Sequence, residues 1–438
     1  MPPQNVTRRA FLKTGTAASL ALFAPTIIPA TALGRDGRAA PSERVVVGAI
    51  GSGGKGQHNL GAFVAMPDVQ LVAVCDVERK HADAGAAIVN KHYGNTDCAI
   101  REDFRAVITD AEIDAVCVST PDHWHALISV AAANAGKDVY CEKPLANSIS
   151  EGRAICDAVT AGRRILQVGS HERSNPGVRF ACEMARQGHL GDVKTIRIQM
   201  PTDQAHHDHV RKSLAVPPPE SVPEGFDYDF WLGHTPQAPY TSGRCHFWWR
   251  FIQCYGGGEM TDRGSHIIDV AQLAAGRDDT GPVQIKASGQ RNPTGLYDAF
   301  MSYEFVNTYD DGLQLIGECK GPRGLRLEGT EGALFIAVHG GKLEADPKSL
   351  LETKIEGFDL DSTNAPSHQR NFIDCVKSRS KPLADVETGQ RTATICHLNN
   401  IAMRLGRELR WDPRLEQVIG DDEANSLLLP PMREPWVL

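Results

Sequence analysis

Three side chains in this sequence are spaced to move a proton. Lys143 follows the apolar run Asp138-Val139-Tyr140-Cys141 and Glu142, so a strand delivers it to a sheet edge. There it can hydrogen-bond a hydroxyl, and partial desolvation lowers a lysine's pKa toward a value useful for proton transfer. A solvated turn is the commoner fate of a lysine. Asp262 and His266 lie in Gly256-Gly257-Gly258-Glu259-Met260-Thr261-Asp262-Arg263-Gly264-Ser265-His266. Met260, Ile267, Val270 and Leu273 predict one helix over 259–275, which projects Asp262 and His266 from one face and sets Asp269 where it could orient the imidazole. A histidine is suited to accept a proton from an alcohol near neutral pH while hydride leaves the same carbon. An ordinary helical ion pair is the plainer alternative.

A hydride needs an acceptor, and the sequence offers a place for one. Val45-Val46-Val47-Gly48-Ala49-Ile50 runs into Gly51-Ser52-Gly53-Gly54-Lys55-Gly56, a buried strand opening into a phosphate-binding turn. Gly51 permits the turn, Gly53 lets the backbone approach a pyrophosphate, and Gly56 lets the next helix pack close with its amides on the phosphates. A second apolar strand, Leu71 to Cys75, ends in Asp76, whose carboxylate can accept the adenosine ribose hydroxyls. That carboxylate would repel a 2'-phosphate and favours NAD, while Arg79 and Lys80 leave NADP open. The strand Asp114–Ser119 ends in Thr120-Pro121-Asp122-His123-Trp124-His125 at the carboxyl edge where doubly wound sheets bind ligands. A surface turn with Asp122 as helix cap is the alternative there. The cofactor-binding set is Gly51, Ser52, Gly53, Gly54, Lys55, Gly56, Asp76, Thr120, Pro121, His123, His125, Glu142 and Lys143.

His206-His207-Asp208-His209 has the residue types of a metal site, but neighbours on a strand face opposite ways. A loop touching substrate, or simply solvated, is favoured, and no metal is expected. In His246-Phe247-Trp248-Trp249-Arg250 the aromatic faces can pack on sugar rings and the arginine can fork onto hydroxyls or a carboxylate, with at least one tryptophan in the core. The substrate-binding set is Trp124, Arg173, His206, His207, Trp248 and Arg250.

Strand and helix patterns alternate from residue 44 to 170, the signature of a Rossmann-type parallel sheet with crossover helices. Beyond it, strands near 192–200, 283–289, 299–306, 313–319, 323–328 and 333–338 predict a mostly antiparallel sheet with one open face, hence self-association. The chain therefore divides into a signal (1–32), a linker (33–43), a dinucleotide domain (44–170), a substrate and oligomerisation domain (171–415) and a tail (416–438). The signal reads as twin-arginine: Thr7-Arg8-Arg9-Ala10-Phe11-Leu12-Lys13, an apolar run to Ile28, then Ala30-Thr31-Ala32. It predicts use of the twin-arginine machinery and a periplasmic or otherwise exported location. With 41% hydrophobic and 23% charged residues and a net charge of -8, the composition is that of an ordinary globular protein and disfavours nucleic acid. Eleven cysteines without a C-x-x-C pair predict no disulfide framework.

The glycine turn, Thr120-Pro121-Asp122-His123, Glu142-Lys143-Pro144 and the 256–266 segment together resemble the Gfo/Idh/MocA oxidoreductase family over about residues 44–415. Pro201-Thr202-Asp203, His206-His207 and the closing Arg404–Asp412 segment are similar to its exported bacterial branch. The resemblance implies an NAD- or NADP-dependent enzyme acting on sugars, polyols or their derivatives, with Lys143 as catalytic or substrate-positioning lysine and Asp262 and His266 as the family's pair. Free nicotinamide cofactor is scarce outside the cytoplasm, so an exported enzyme is expected to keep its dinucleotide tightly bound. An NAD-dependent glycosidase working by transient oxidation, elimination and re-reduction is the alternative, and a non-enzymatic NAD sensor a third.

Overall fold

A computed structural model describes residues 39–340, 342–356 and 367–438, so the expected signal at 1–32 lies outside the described residues. Val45–Leu438 forms one compact unit. Its first sheet consists of β1 (Val45–Ile50), β2 (Val69–Cys75), β3 (Ala99–Arg101), β4 (Ala115–Val118), β5 (Asp138–Cys141) and β6 (Leu166–Val168), largely apolar and buried runs except for the partly exposed edge strand β3. Their order is β3-β2-β1-β4-β5-β6, all parallel, which puts the chain reversal between β1 and β4. The carboxyl ends of those two strands therefore flank the ligand crevice.

The second sheet contains β7 (Thr195–Gln199), β8 (Gln284–Arg291), β9 (Phe300–Thr308), β10 (Gln314–Glu318), β11 (Gly324–Glu328), β12 (Ala333–Ala337), β13 (Leu343–Asp346), β14 (Leu409–Asp412) and β15 (Gln417–Val418). In the order β13-β12-β11-β7-β10-β9-β8-β14-β15, β7 and β10 run parallel and the other neighbours antiparallel. Period-two alternation sets its faces: Leu315, Leu325, Leu327, Leu334 and Ile336 are buried under helices Pro176–Arg186, Gly264–Ala275 and Val386–Leu405. The opposite face carries Arg197 and Glu328, paired at 3.0 Å.

Three expectations change. Helix His368–Ser378 lies within the range read as substrate domain, yet Phe372, Ile373 and Val376 pack into the Rossmann core with Val47, Phe63 and Tyr140. The range read as a tail is integrated: β15 pairs with β14, and Trp436 packs edge-on against Trp124 at 4.9 Å. The helix expected over 259–275 is two, Glu259–Asp262 and Gly264–Ala275, divided at Arg263. There the guanidinium binds Glu259 at 2.8 Å and Gln204 Oε1 at 2.7 Å. All eleven cysteines are free thiols, and among the described residues no helix is long and apolar enough to cross a membrane.

Candidate active site

The glycine turn shows why its residue types are required. Gly51 has φ +86, and a Cβ there would stand 2.6 Å from the Ser119 carbonyl carbon at the end of β4. A Cβ on Gly56 would lie 2.2 Å from Gly51 O, whereas one on Gly53 would meet only His81 at 3.9 Å and Gly54 faces open space at the start of helix Gly54–Val64. The first-turn amides of a helix lack intrahelical acceptors, so this opening is a cradle for an anion. Ser52 is buried and anchors the turn, its amide donating to Asp76 Oδ2 at 2.8 Å. The other carboxylate oxygen of Asp76 accepts from the Glu78 amide at 2.9 Å.

Between this turn and the second domain lies a cleft of about 410 Å³. Of the residues singled out in the sequence, Gly51, Gly53, Gly54, Lys55, Asp76, Thr120, Pro121, Trp124, Glu142, Lys143, Arg250 and Asp262 line it. The turn's shape, the open helix start and a carboxylate at the tip of β2 fit a dinucleotide laid across β1 and β4. Asp76, Glu78 and Glu102 make the ribose end acidic, while Arg79 is tied to Asp83 at 2.8 Å and is absent from the lining.

At the cleft's inner end Lys143 Nζ donates to Asp262 Oδ1 at 2.6 Å and to Asp262 O at 2.8 Å. Burial raises the Asp262 carboxyl pKa, but the Lys143 ammonium and the Arg250 guanidinium outweigh it and hold the group well below the usual range. Arg250 Nε lies 3.6 Å from Asp262 Oδ1, with its guanidinium carbon 4.5 Å from the centre of the Trp249 ring. His266 is buried and, unlike Lys143 and Asp262, is not among the residues lining the cleft; its Nδ1 has no hydrogen-bond partner. Burial first, then the Lys143 charge, push its pKa well below the ordinary value, so the ring is neutral at physiological pH.

Several predicted residues have other work. His123 and His125 do not line the cleft: His123 Nε2 meets Trp231 O at 2.9 Å, and the His125 ring nitrogens meet Pro144 O at 2.7 Å and Thr120 O at 3.1 Å. Burial pushes the His123 pKa down to about 3. Arg173 is a buried strut between Asp269 at 2.7 Å and Asp278 at 2.8 Å, which also takes Asp269 away from His266. His206 and His207 sit on helix Ala205–Lys212 rather than in a loop; His207 is bonded to buried Glu259 at 2.8 Å, and neither lines the cleft. Trp248 packs on His209 at 4.4 Å, and its neighbour Trp249 takes the cleft-lining position.

Residues outside the named cofactor and substrate sets also enter, among them Asp122 of the 120–125 segment. Asp122 lines the cleft fully buried, and desolvation raises its pKa well above the usual range against the pull of Lys143. Phe230, Trp231, His246 and Phe247 roof the dinucleotide end. The aromatic run at 246–250 signals the latter two; nothing local signals the former. The segment bearing these residues is stitched to the Rossmann domain by an antiparallel bridge between Glu78 and Phe226. Flanking backbone bonds run from the Arg79 amide to Gly225 O at 2.8 Å and from the Asp227 amide to Val77 O at 2.9 Å.

Comparison with known proteins covers both domains. Residues 45–170 match the Gfo/Idh/MocA model described as oxidoreductase family, NAD-binding Rossmann fold, and residues 183–438 match the oxidoreductase family C-terminal alpha/beta domain. Levoglucosan dehydrogenase of Pseudarthrobacter phenanthrenivorans is 29% identical over 235 residues, 52% of this chain and 51% of that protein. Inositol 2-dehydrogenase of Rubrobacter xylanophilus is 32% identical over 152 residues, 34% of this chain and 42% of that one. A glycosyl hydrolase family 109 protein of Shewanella sp. (strain W3-18-1) is 30% identical over 206 residues, 43% and 44% of the two chains. The chain thus spans about half, or less, of the length of these relatives. Among solved structures, levoglucosan dehydrogenase with NADH and levoglucosan aligns with a TM-score of 0.60 at 20% identity, over 84% of this chain and 99% of that one. Aldose-aldose oxidoreductase from Caulobacter crescentus, complexed with glycerol, gives 0.59 at 19% identity over the same shares. At these identities the likeness is one of fold.

Proposed function

Because the chain belongs to the Gfo/Idh/MocA oxidoreductase family, we propose that it oxidises a hydroxyl-bearing carbon of a sugar, polyol or glycoside, using an NAD it retains. The observation that carries this reading is the Lys143–Asp262 pair at the inner end of the dinucleotide cleft, with a neutral His266 under the influence of Lys143. NAD, when bound, accepts a hydride and later returns it. Lys143 spends two of its three N–H bonds on Asp262, so it keeps one donor for a substrate oxygen and serves as fixed positive charge beside the developing alkoxide. His266, neutral and with an unpartnered Nδ1, is the proton acceptor. Asp262 holds the lysine in position and balances its charge, and the acidic ribose end favours NAD over NADP.

Retention is supported by the roof stitched over the cleft through Glu78 and Phe226. It also suits the twin-arginine pattern at the N-terminus, since an exported protein that folds around its cofactor must complete a redox cycle without exchanging it. A second sugar that takes the hydride back would close that cycle. Self-association through the outer face of the second sheet belongs to the same reading. The glycosidase alternative is favoured by the similarity to a glycosyl hydrolase family 109 protein.

One experiment separates these readings. The purified protein is denatured, the released dinucleotide is identified, and the native protein is incubated with sugars and glycosides without added NAD. Reduction of stoichiometric bound NAD in a single turnover is expected. Repeated aglycone release would favour the glycosidase, and absence of both dinucleotide and reduction would defeat the enzyme reading.

A further inference from the structure

Beside the Lys143–Asp262 pair three imidazoles gather. His171, following β6, His266, and His339 from the turn between β12 and β13 each bring a ring nitrogen within 4.8 Å of the others. The ring centroids of His266 and His339 are 4.4 Å apart, and those of His171 and His266 4.9 Å. Such a set invites a divalent metal. Two observations turn it away. Arg323 Nη1 lies 3.0 Å from His339 Nδ1, and a guanidinium can only donate. Nδ1 therefore accepts, the ring proton sits on Nε2, and His339 has no free lone pair for a metal. Burial is the first cause of the depressed pKa of each imidazole; neighbouring imidazoles, Lys55, Lys143 and Arg323 add to it, while Glu142 opposes it at His171 and Asp262 at His339.

Buried Glu172 stands 3.5 Å from His171 and 3.9 Å from His339, but Arg323 has no such partner among the described residues. Arg323 is half-buried, its pKa lowered by burial and then by Arg263, and among the described residues no carboxylate lies within ion-pair distance of it. Arg250 must share Asp262 with Lys143. By contrast, buried Arg173 and Arg263 each have a carboxylate at 2.7 or 2.8 Å. His339 adopts φ +65, a left-handed conformation that a histidine seldom takes, and its amide is held by the buried Glu172 carboxylate at 3.0 Å. Strain of this kind persists where the surroundings over-determine it, typically at binding sites. Here it sets the imidazole between Arg323 and His266.

We propose that Arg323, oriented by His339, binds a carboxylate carried by the substrate, so that the sugar oxidised is a uronic acid or a glycoside of one. The proposal rests on the oxidoreductase reading and names its substrate class. The planar fork of an arginine matches a carboxylate with two parallel hydrogen bonds, which a lysine cannot supply.

The test is calorimetric binding of glucuronate and galacturonate against glucose and galactose to the holoenzyme, alongside reduction of its bound NAD. At least one acid is expected to bind about tenfold or more tightly than its neutral counterpart, a preference that collapses in Arg323→Gln and returns in part in Arg323→Lys. Equal binding of acids and neutral sugars, or a preference that survives in Arg323→Gln, overturns the proposal. So does stoichiometric zinc that is lost on His339→Ala. Arg323-dependent acid binding without NAD reduction supports carboxylate recognition and defeats the oxidoreductase reading. NAD reduction by neutral sugars, with acids binding no better, does the reverse.

Discussion

Replacing Lys143 by Met removes the ammonium while keeping the length of the side chain. Two effects follow, and their sizes differ. On the proposed mechanism the lysine's remaining donor serves the developing alkoxide, and loss of one such donor costs about 10² to 10³ in rate, or about 2.7–4 kcal/mol. The ground-state effect is smaller. Lys143 loses bonds of 2.6 and 2.8 Å to Asp262, but the Asp262 side chain keeps 30% exposure and Arg250 stands 3.6 Å away. Water and Arg250 take up much of the freed charge, so the cost falls between that of an exposed pair and a buried one, about 1–2 kcal/mol. The sign with pH is fixed. Lys143 helps hold the Asp262 carboxyl below its ordinary pKa, so its contribution is present at neutral pH and is lost as pH falls through the acid range. The variant should therefore differ most from the wild type near pH 7 and converge with it in acid. Stopped-flow absorbance of the bound dinucleotide reads the first effect, and urea unfolding at several pH values the second. A single-turnover rate within about threefold of the wild type, with NAD still bound, would refute the assignment of Lys143.

Three other outcomes are expected. His266 is already neutral because burial and Lys143 depress its pKa, so wild-type turnover should stay flat as pH falls through 6.5 and decline only below it. His266→Gln should lose about 10² to 10⁴ in rate, and a wild-type acid limb centred at 6.5 that vanishes in this variant would contradict the depressed pKa. Asp76→Ala removes the acceptor of the Ser52 amide at the ribose end and should reduce NAD content while relaxing discrimination against NADP; unchanged content on extraction would refute that placement. Arg173→Met strands Asp269, whose side chain is only 1% exposed, and should cost about 3–5 kcal/mol in unfolding experiments. A raised KM at full stability would restore Arg173 to the substrate site.

What is legible in the sequence is whatever a local constraint writes into residue type. Gly51 and Gly56 are glycines because a Cβ would strike backbone, and Asp76 and Lys143 stand at the tips of runs such as Leu71–Cys75 whose apolar character marks strands. The strands of the second sheet follow from alternation in the same way, since one face is buried and the other is not. Partnerships across long separations leave no such trace. Arg173 looks free until Asp269, 96 positions on, is brought beside it, and His207 until Glu259, 52 positions on, takes its Nε2. The choice between Trp248 and Trp249 rests on the short helical turn Trp248–Phe251, which adjacent identical residues do not encode. His339 reaches the site on a left-handed turn residue, a conformation for which histidine is a weak signal.

The aromatic residues over the cleft bear on the proposed retention of NAD. The bridge at Glu78 and Phe226 is short, but behind it Val77 packs against a cluster containing Phe226, Tyr228, Trp231 and Tyr240, all buried. An aromatic side chain buries about 150–250 Å². At about 25 cal/mol per Å², exposing even two of these rings costs about 8–12 kcal/mol, far beyond what one backbone bridge contributes. A roof lifted as a unit is therefore open less than once in about 10⁵ looks. On the proposed reading, NAD leaving by that route would leave rarely, and NAD arriving by it would arrive before the aromatic cluster closes. With the glycine turn on one side of the cleft and part of the folded core on the other, that reading couples loading to folding. On the proposed reading, in which residues 1–32 direct export after folding, such coupling would let a dinucleotide cross with the chain.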